Sequence, residues 1–381
     1  MPNFSGKWTL QAQMQAIAAG TWTGIPAFFS WGYNGYGQLG LNDTVNRSSP
    51  VQLGDGVVWS LGAVGGNFSA AIKTNGTLWS WGRNNSGQLG QNIAYTISRS
   101  SPVQVGALTD WSKISAGNNF CAAVKTTGSI WSWGRNEHGQ LGQNDRVYRS
   151  SPVQIGALTD WSQVSLGQHH CAAIKTNNTL WTWGRNFVGQ LGQNIAYDVS
   201  RSSPVQVGAL TDWAQVSSGT YHCAAIKTNN TLWTWGNNGF GELGQNIAYT
   251  INRSSPVQVG ALTDWAQVSA GTGFCIAIKT NGTLWSWGSN SGGRLGLGNT
   301  SSRSSPVQVG ALTDWSKISA GTNFSAAIKT NNTLWTWGLN TSGQLGQNDR
   351  ISRSSPVQVG SLNWSLIVQG PVSQLCLGIA S

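Results

Sequence analysis

The sequence predicts an all-β fold, a seven-bladed β-propeller of four-stranded blades, on three observations. A tryptophan-glycine strand end recurs at Trp31, Trp81, Trp133, Trp183, Trp235, Trp287 and Trp337, always 50 or 52 residues from the next. Each unit between those marks holds four short strand-like segments separated by turn residues. The chain also begins and stops partway through a unit, so its two ends are expected to complete one blade and close the ring without an unpaired edge. A unit of about 51 residues is too small to bury a core alone, so the repeats must pack on one another.

The second full unit shows each element. Residues 102–105 alternate and open on Pro102, a residue tolerated at a strand's start. Residues 111–115 alternate again. After Gly117, residues 121–125 read Cys-Ala-Ala-Val-Lys, and residues 129–133 end the unit on Trp133. Asn75-Gly76, Asn177-Asn178 and Asn281-Gly282 hold the last turn and suit a tight hairpin with positive φ. Leu78, Trp79 and Trp81 crowd one strand without strict alternation, as expected where both faces are buried. On this reading the Pro-Val strand opens each blade and the Trp-Gly strand closes it. Blades then cover 50–82, 102–134, 152–184, 204–236, 256–288, 306–338, and 356–379 with 27–32, within a propeller domain of residues 27–381.

Residues 1–26 lie outside the repeat. Leu10, Met14 and Ile17 share one face of a short helix over 9–19 that Gly20 ends, flanked by Phe4, Trp8 and Trp22. So short a helix is marginal in water, so this docking segment is expected to pack on the propeller or on a partner.

Composition narrows the function classes. Only 9% of residues are charged, and Asn, Gln, Ser and Thr supply the polar surface. The net charge is +10, yet it is spread by the repeat: Lys73, Lys125, Lys175, Lys227, Lys279 and Lys329 recur, as do seven arginines from Arg47 to Arg353. A nucleic-acid binder clusters its cations on one face, so no specific nucleic acid is expected. Cys121, Cys171, Cys223 and Cys275 recur at one place in successive units, where Ser69 and Ser325 stand in two others. They read as small buried thiols, and no CxxC pair suggests a metal. No basic-then-apolar leader opens the chain, and no run approaches the ~18 apolar residues of a membrane span.

No catalytic constellation stands out, because nearly every polar residue is present in several copies. No cofactor is expected, and the reading is non-enzymatic. Function is sought where the copies differ. One variable region follows Trp-Gly: Tyr33, Tyr36, Arg83, Arg135, Glu137, His138, Arg185, Phe187, Phe240 and Arg294. The other precedes the cysteine strand: Phe68, Phe120, His169, His170, Tyr221, His222, Phe274 and Phe324. Exposed aromatic, His and Arg side chains are the usual anchors of interfaces. The apolar tips 93–97, 195–199 and 247–251 either tuck under the next blade or touch a partner.

Residues 222–236, with Gly241-Glu-Leu-Gly244 and Pro256-Val-Gln-Val259, resemble the repeats of the regulator of chromosome condensation family. The resemblance covers roughly residues 27–379 and implies a seven-bladed propeller with a shared closing blade. The family's founding member exchanges nucleotide on a small nuclear GTPase, and bacterial relatives include a β-lactamase inhibitor. No wedge insertion of the kind an exchange factor uses is present, so exchange activity is the least expected role. Residues 6–22 resemble the leader that opens virion proteins of marine bacteriophages. That resemblance implies a virion protein, such as a fibre, spike or decoration component. It would be anchored through residues 1–26 to other virion proteins, with loops facing a host-surface protein or glycan. The alternative is a bacterial cytoplasmic adaptor or enzyme inhibitor.

Overall fold

In the computed structural model, which describes residues 26–54 and 58–381, each unit folds as an antiparallel meander of four strands, and seven such sheets make the ring. In blade 1 the strands are Trp59–Val64, Phe68–Lys73, Leu78–Gly82 and Arg99–Gln104. Blades 2 to 6 repeat this order, beginning at Trp111, Trp161, Trp213, Trp265 and Trp315. Blade 7 joins Trp364–Val368 and Leu375–Ala380 to Ala27–Gly32 and Arg47–Gln52. The docking-segment residues Phe4, Trp8, Leu10, Met14, Ile17 and Trp22 lie outside the described residues.

The strand count and the shared closing blade agree with the sequence reading, but the grouping of strands does not. The Pro-Val strand pairs with the Trp-Gly strand before it (Trp79 opposite Gln104) and closes that blade rather than opening the next. Trp-Gly strands are therefore third in their blades, and the ring closes with two strands from each end instead of three and one. A cyclic repeat reveals the order of its strands but not where a blade is cut. The edge position explains Pro102, since an outermost strand need not donate every N–H to a ladder.

The core lies between blades. The second strand of each blade is short and small, as in Cys121-Ala-Ala-Val-Lys125, and is buried on both faces. Leu78 and Ala70 of blade 1 thereby share one cluster with Trp111, Cys121 and Trp133 of blade 2. Within blade 2, Trp111 meets Trp131 and Trp133 edge to face at 6.0 and 6.3 Å. The Lys125 ammonium lies 5.1 and 4.5 Å from the Trp111 and Trp131 ring centroids and 3.3 Å from Asp110. The same Lys–Asp pair recurs at Lys175–Asp160, Lys227–Asp212, Lys279–Asp264 and Lys329–Asp314. These recurrent lysines are buried and neutralised, so they form no solvent-facing cationic ring.

Each Trp-Gly indole is fixed by a bond across the blade boundary. Trp183 Nε1 donates to the Gln140 carbonyl at 3.0 Å, and all seven copies make the equivalent bond to the Gly-Gln-Leu-Gly loop of the preceding blade. Cys171 Sγ donates to the same Gln140 carbonyl at 3.2 Å, and Ser69 Oγ does so to Gln38 at 2.8 Å. That shared acceptor explains why cysteine and serine exchange at this position. Gly134 has φ +104, and a Cβ there would lie 2.5 Å from the Asn119 carbonyl oxygen, so the residue after tryptophan must be glycine.

Candidate binding face

In a four-stranded meander, the first turn and the third-to-fourth connection leave the same rim. The two variable regions therefore meet. The N–H of the residue after Trp-Gly donates to the carbonyl preceding the second strand: Arg83 to Asn67, Arg135 to Asn119, Arg185 to His169 and Asn237 to Tyr221, each at 2.9 Å. Blades 5, 6 and 7 repeat the bond at Ser289, Leu339 and Tyr33.

The structure splits the predicted site residues in two. Tyr36, Phe187 and Phe240 stand out from this face, 37%, 50% and 52% exposed, and Tyr33, His138 and Tyr221 are half-buried beside them. Phe68, Phe120, His170, His222, Phe274 and Phe324 do not belong to the surface; all are fully buried. Each is the first residue of a second strand and packs over the glycine that opens the preceding turn. A Cβ on Gly117 would sit 2.2 Å from the Phe120 ring. His169, one residue earlier, packs edge to face on His138 at 5.4 Å. The apolar tips do not tuck away: Tyr95, Ile97, Tyr197, Val199, Tyr249 and Ile251 remain exposed.

Neighbouring blades are stitched on this face. The Arg83 guanidinium lies 4.7 Å from the Tyr36 ring, and Gln88 Nε2 donates to Asn119 Oδ1 at 3.4 Å. Arg294 donates to the Thr272 and Thr322 carbonyls at 3.1 and 3.3 Å. Burial brings its guanidinium down to about 10. The loop of residues 369–374 leans across the channel mouth. Thr220 and Thr272 both donate to the Pro371 carbonyl, and Thr322 N–H donates to Ser373 at 3.2 Å.

Two buried pairs have the form of a nucleophile and its base. His170 Nε2 lies 3.2 Å from Cys223 Sγ, and His222 Nε2 lies 3.2 Å from Cys275 Sγ. Burial holds both partners neutral: His170 falls to about 3 and Cys223 rises to about 12. A thiol kept from ionising is no nucleophile, so these pairs are packing between blades. Among the described residues no group of three or more His, Cys, Asp or Glu side chains is arranged to hold a metal ion.

A family model described as the RCC1-like domain matches residues 27–378. This chain belongs to the RCC1-like domain family. It is 30% identical over 279 residues to the ultraviolet-B receptor UVR8 of Arabidopsis thaliana, covering 71% of this chain and 51% of the receptor. The chain thus spans about half the length of that relative. Among solved structures, human WBSCR16 superposes with a TM-score of 0.83 at 21% identity, covering 93% of this chain and 99% of that one. Yeast RCC1 (Prp20), from its complex with Kap60, superposes at 0.82 with 19% identity, covering 94% and 89%. These two likenesses show the fold.

Sequence reasoning missed two features of this RCC1-like chain. Leu108, Leu158, Leu210, Leu262 and Leu312 are 45–50% exposed in the connections on the opposite rim. The signal was the recurring Gly-Ala-Leu-Thr-Asp, which reads as a turn and hides an apolar residue in it. A cleft of about 480 Å³ opens between blades 5 and 6, lined by Leu297, Leu312, Trp315, Trp335 and Pro356. It falls where Leu297-Gly298 replaces the Gln-Asn of units such as Gln91-Asn92 and Gln347-Asn348.

Proposed function

We infer that this chain is a non-catalytic protein-binding module whose contact surface is the face carrying both variable regions, centred on blades 7 and 1 to 4. One observation carries the reading: segments that vary between copies, separated in the chain by the second and third strands, are hydrogen-bonded together on one rim and raise Tyr36, Phe187 and Phe240 beside Arg83, Arg135 and Arg185. Such aromatic and arginine groups on a rigid scaffold are the side chains that dominate interface energetics. The framework beneath them is near-invariant within the chain. The virion role expected from residues 6–22 gains no support from the RCC1-like relatives, and attachment through residues 1–26 is not needed for this reading.

The leucines of the opposite rim favour a second reading, in which that rim is the contact surface. Paired variants separate the two. With Tyr36→Ala, Phe187→Ala and Phe240→Ala combined, capture of the stoichiometric partner should fall at least ~10-fold, the effect of about 1.4 kcal/mol. Leu158→Ser, Leu210→Ser and Leu262→Ser combined should leave capture unchanged. The reverse pattern, measured by quantitative affinity capture, would assign the opposite rim.

A further inference from the structure

We propose that the junction of blades 2 and 3 on this face is an oxyanion site, which takes a carboxylate or phosphate group carried by the bound protein. The proposal rests on the reading that this face makes the contact. Its basis is a local excess of cations and imidazoles over free carboxylates. Blade 2 contributes Arg135, Glu137, His138, Arg146 and Tyr148; blade 3 contributes His169 and Arg185, with His170 fully buried beneath. Glu137 is the one carboxylate among them. Both its oxygens are engaged, one by Arg135 Nη2 and the other by the Tyr148 hydroxyl. Asp145 nearby is committed to Arg149 at 2.5 Å.

Several buried polar atoms at this junction have no partner among the described residues, Gln140 Nε2, Gln168 Oε1 and His170 Nδ1 among them, and two belong to the cationic cluster itself. Arg135 Nε is buried and has no acceptor among the described residues. His169 Nδ1 is likewise buried without a partner, on a side chain only 8% exposed. Buried polar groups of this kind are costly unless something pairs with them. At two other junctions the corresponding contact is uncharged: blades 1 and 2 place Gln88 against Asn119, and blades 4 and 5 place Phe240 against Gly273. Burial and then the charges of Arg185, Arg135 and Arg146 hold His138 below its ordinary range, against the opposing pull of Glu137. Burial, and then His138, Arg135 and Arg185, bring His169 down to about 4. An oxyanion seated here would offset those cations, return a proton to the imidazoles and fit the guanidinium fork. Binding should therefore tighten as pH falls.

Sulfate tests this without any partner, because its charge is constant from pH 5 to 8. The full chain has four histidines, two of them fully buried, so imidazole proton resonances report the site directly. With ionic strength held by chloride, sulfate should shift His138 and His169 saturably and raise their midpoints by roughly 1 unit. Arg135→Gln with Arg185→Gln should abolish the effect. Glu137→Gln, at an exposed position, should tighten sulfate several-fold. Shifts no larger than those in chloride, or an undiminished response in the double arginine variant, would overturn the proposal. Competition by a phosphoserine peptide against its glutamate counterpart identifies the source of the anion, and failure of both to displace sulfate counts against a protein-borne group. This experiment can fail while the aromatic residues still capture their partner, and the converse also holds.

Discussion

At the residue scale, a single carbonyl per blade organises much of the repeat. Gln140 O receives the Trp183 indole and the Cys171 thiol from the next blade. Cys171→Ser should be tolerated within ~1 kcal/mol, because serine already serves at Ser69 and Ser325, whereas Cys171→Ala should cost about 1–2 kcal/mol by leaving a gap and one donor fewer. Denaturant unfolding of both variants measures the difference. The buried histidines set acid sensitivity. His170 and His222 fall to about 3 and about 4, chiefly by burial. Their folded values lie below the unfolded one, so the unfolded chain binds more protons. Stability is then fully present above the ordinary histidine range and is lost as pH falls from there toward the folded values. Phenylalanine fills the equivalent positions at Phe120 and Phe274. His170→Phe with His222→Phe should therefore remove a penalty on the order of 2–3 kcal/mol per histidine at pH 4 and change little at pH 8. A pH series of melting curves decides it; parallel curves for variant and parent would refute the assignment.

At the element scale, the innermost strands pose the sharpest problem, since each has one edge facing the channel and no strand to pair with. Side chains fill that gap. Ser165 Oγ accepts the Ser218 N–H at 2.9 Å, and Ser115, Ser217, Ser269 and Ser319 make the same bond to the next blade. Gln163 and Gln215 add a second rung, accepting the N–H of Val216 and Val268. Ser165→Ala should strand a buried N–H and cost roughly 1–3 kcal/mol, with faster amide exchange confined to the boundary of blades 3 and 4. Exchange that quickens evenly around the ring would contradict a local role. The alternation of residues 161–166 was visible in the sequence. That its serine serves a neighbouring strand was not, because a bond across a blade boundary links residues 53 apart with no local pattern to mark it.

At the scale of the whole molecule, the ring closes because both ends enter blade 7. Ala27 lies opposite Ala380, so the two termini of the propeller form what is elsewhere a short hairpin turn. A permutant can test how much this contributes. Joining Ala380 to Ala27 through three residues, on the pattern of Thr126-Thr-Gly128, and opening the chain between Ala209 and Leu210 gives seven intact blades with no shared one. It should fold, since the new ends sit in an exposed connection, yet melt roughly 5 °C lower for want of strands that bind the ends together. Equal melting temperatures would show that interblade packing alone holds the ring.

The sequence by itself determined the strand order, the number of blades and the pooling of both ends in one sheet. Those follow from a period and from small, doubly buried strands that no isolated unit could satisfy. It also marked where copies vary, which located Tyr36, Phe187 and Phe240. Only the tertiary structure decided where each blade is cut, because a cyclic pattern has no intrinsic first strand. Only it separated His169 and Tyr221 from His170 and His222, neighbours in the chain whose side chains point to opposite sides of a strand's first residue. And only it brought Arg135, His138, His169 and Arg185 to one junction, since the register between blades, not the spacing within them, sets which loops meet.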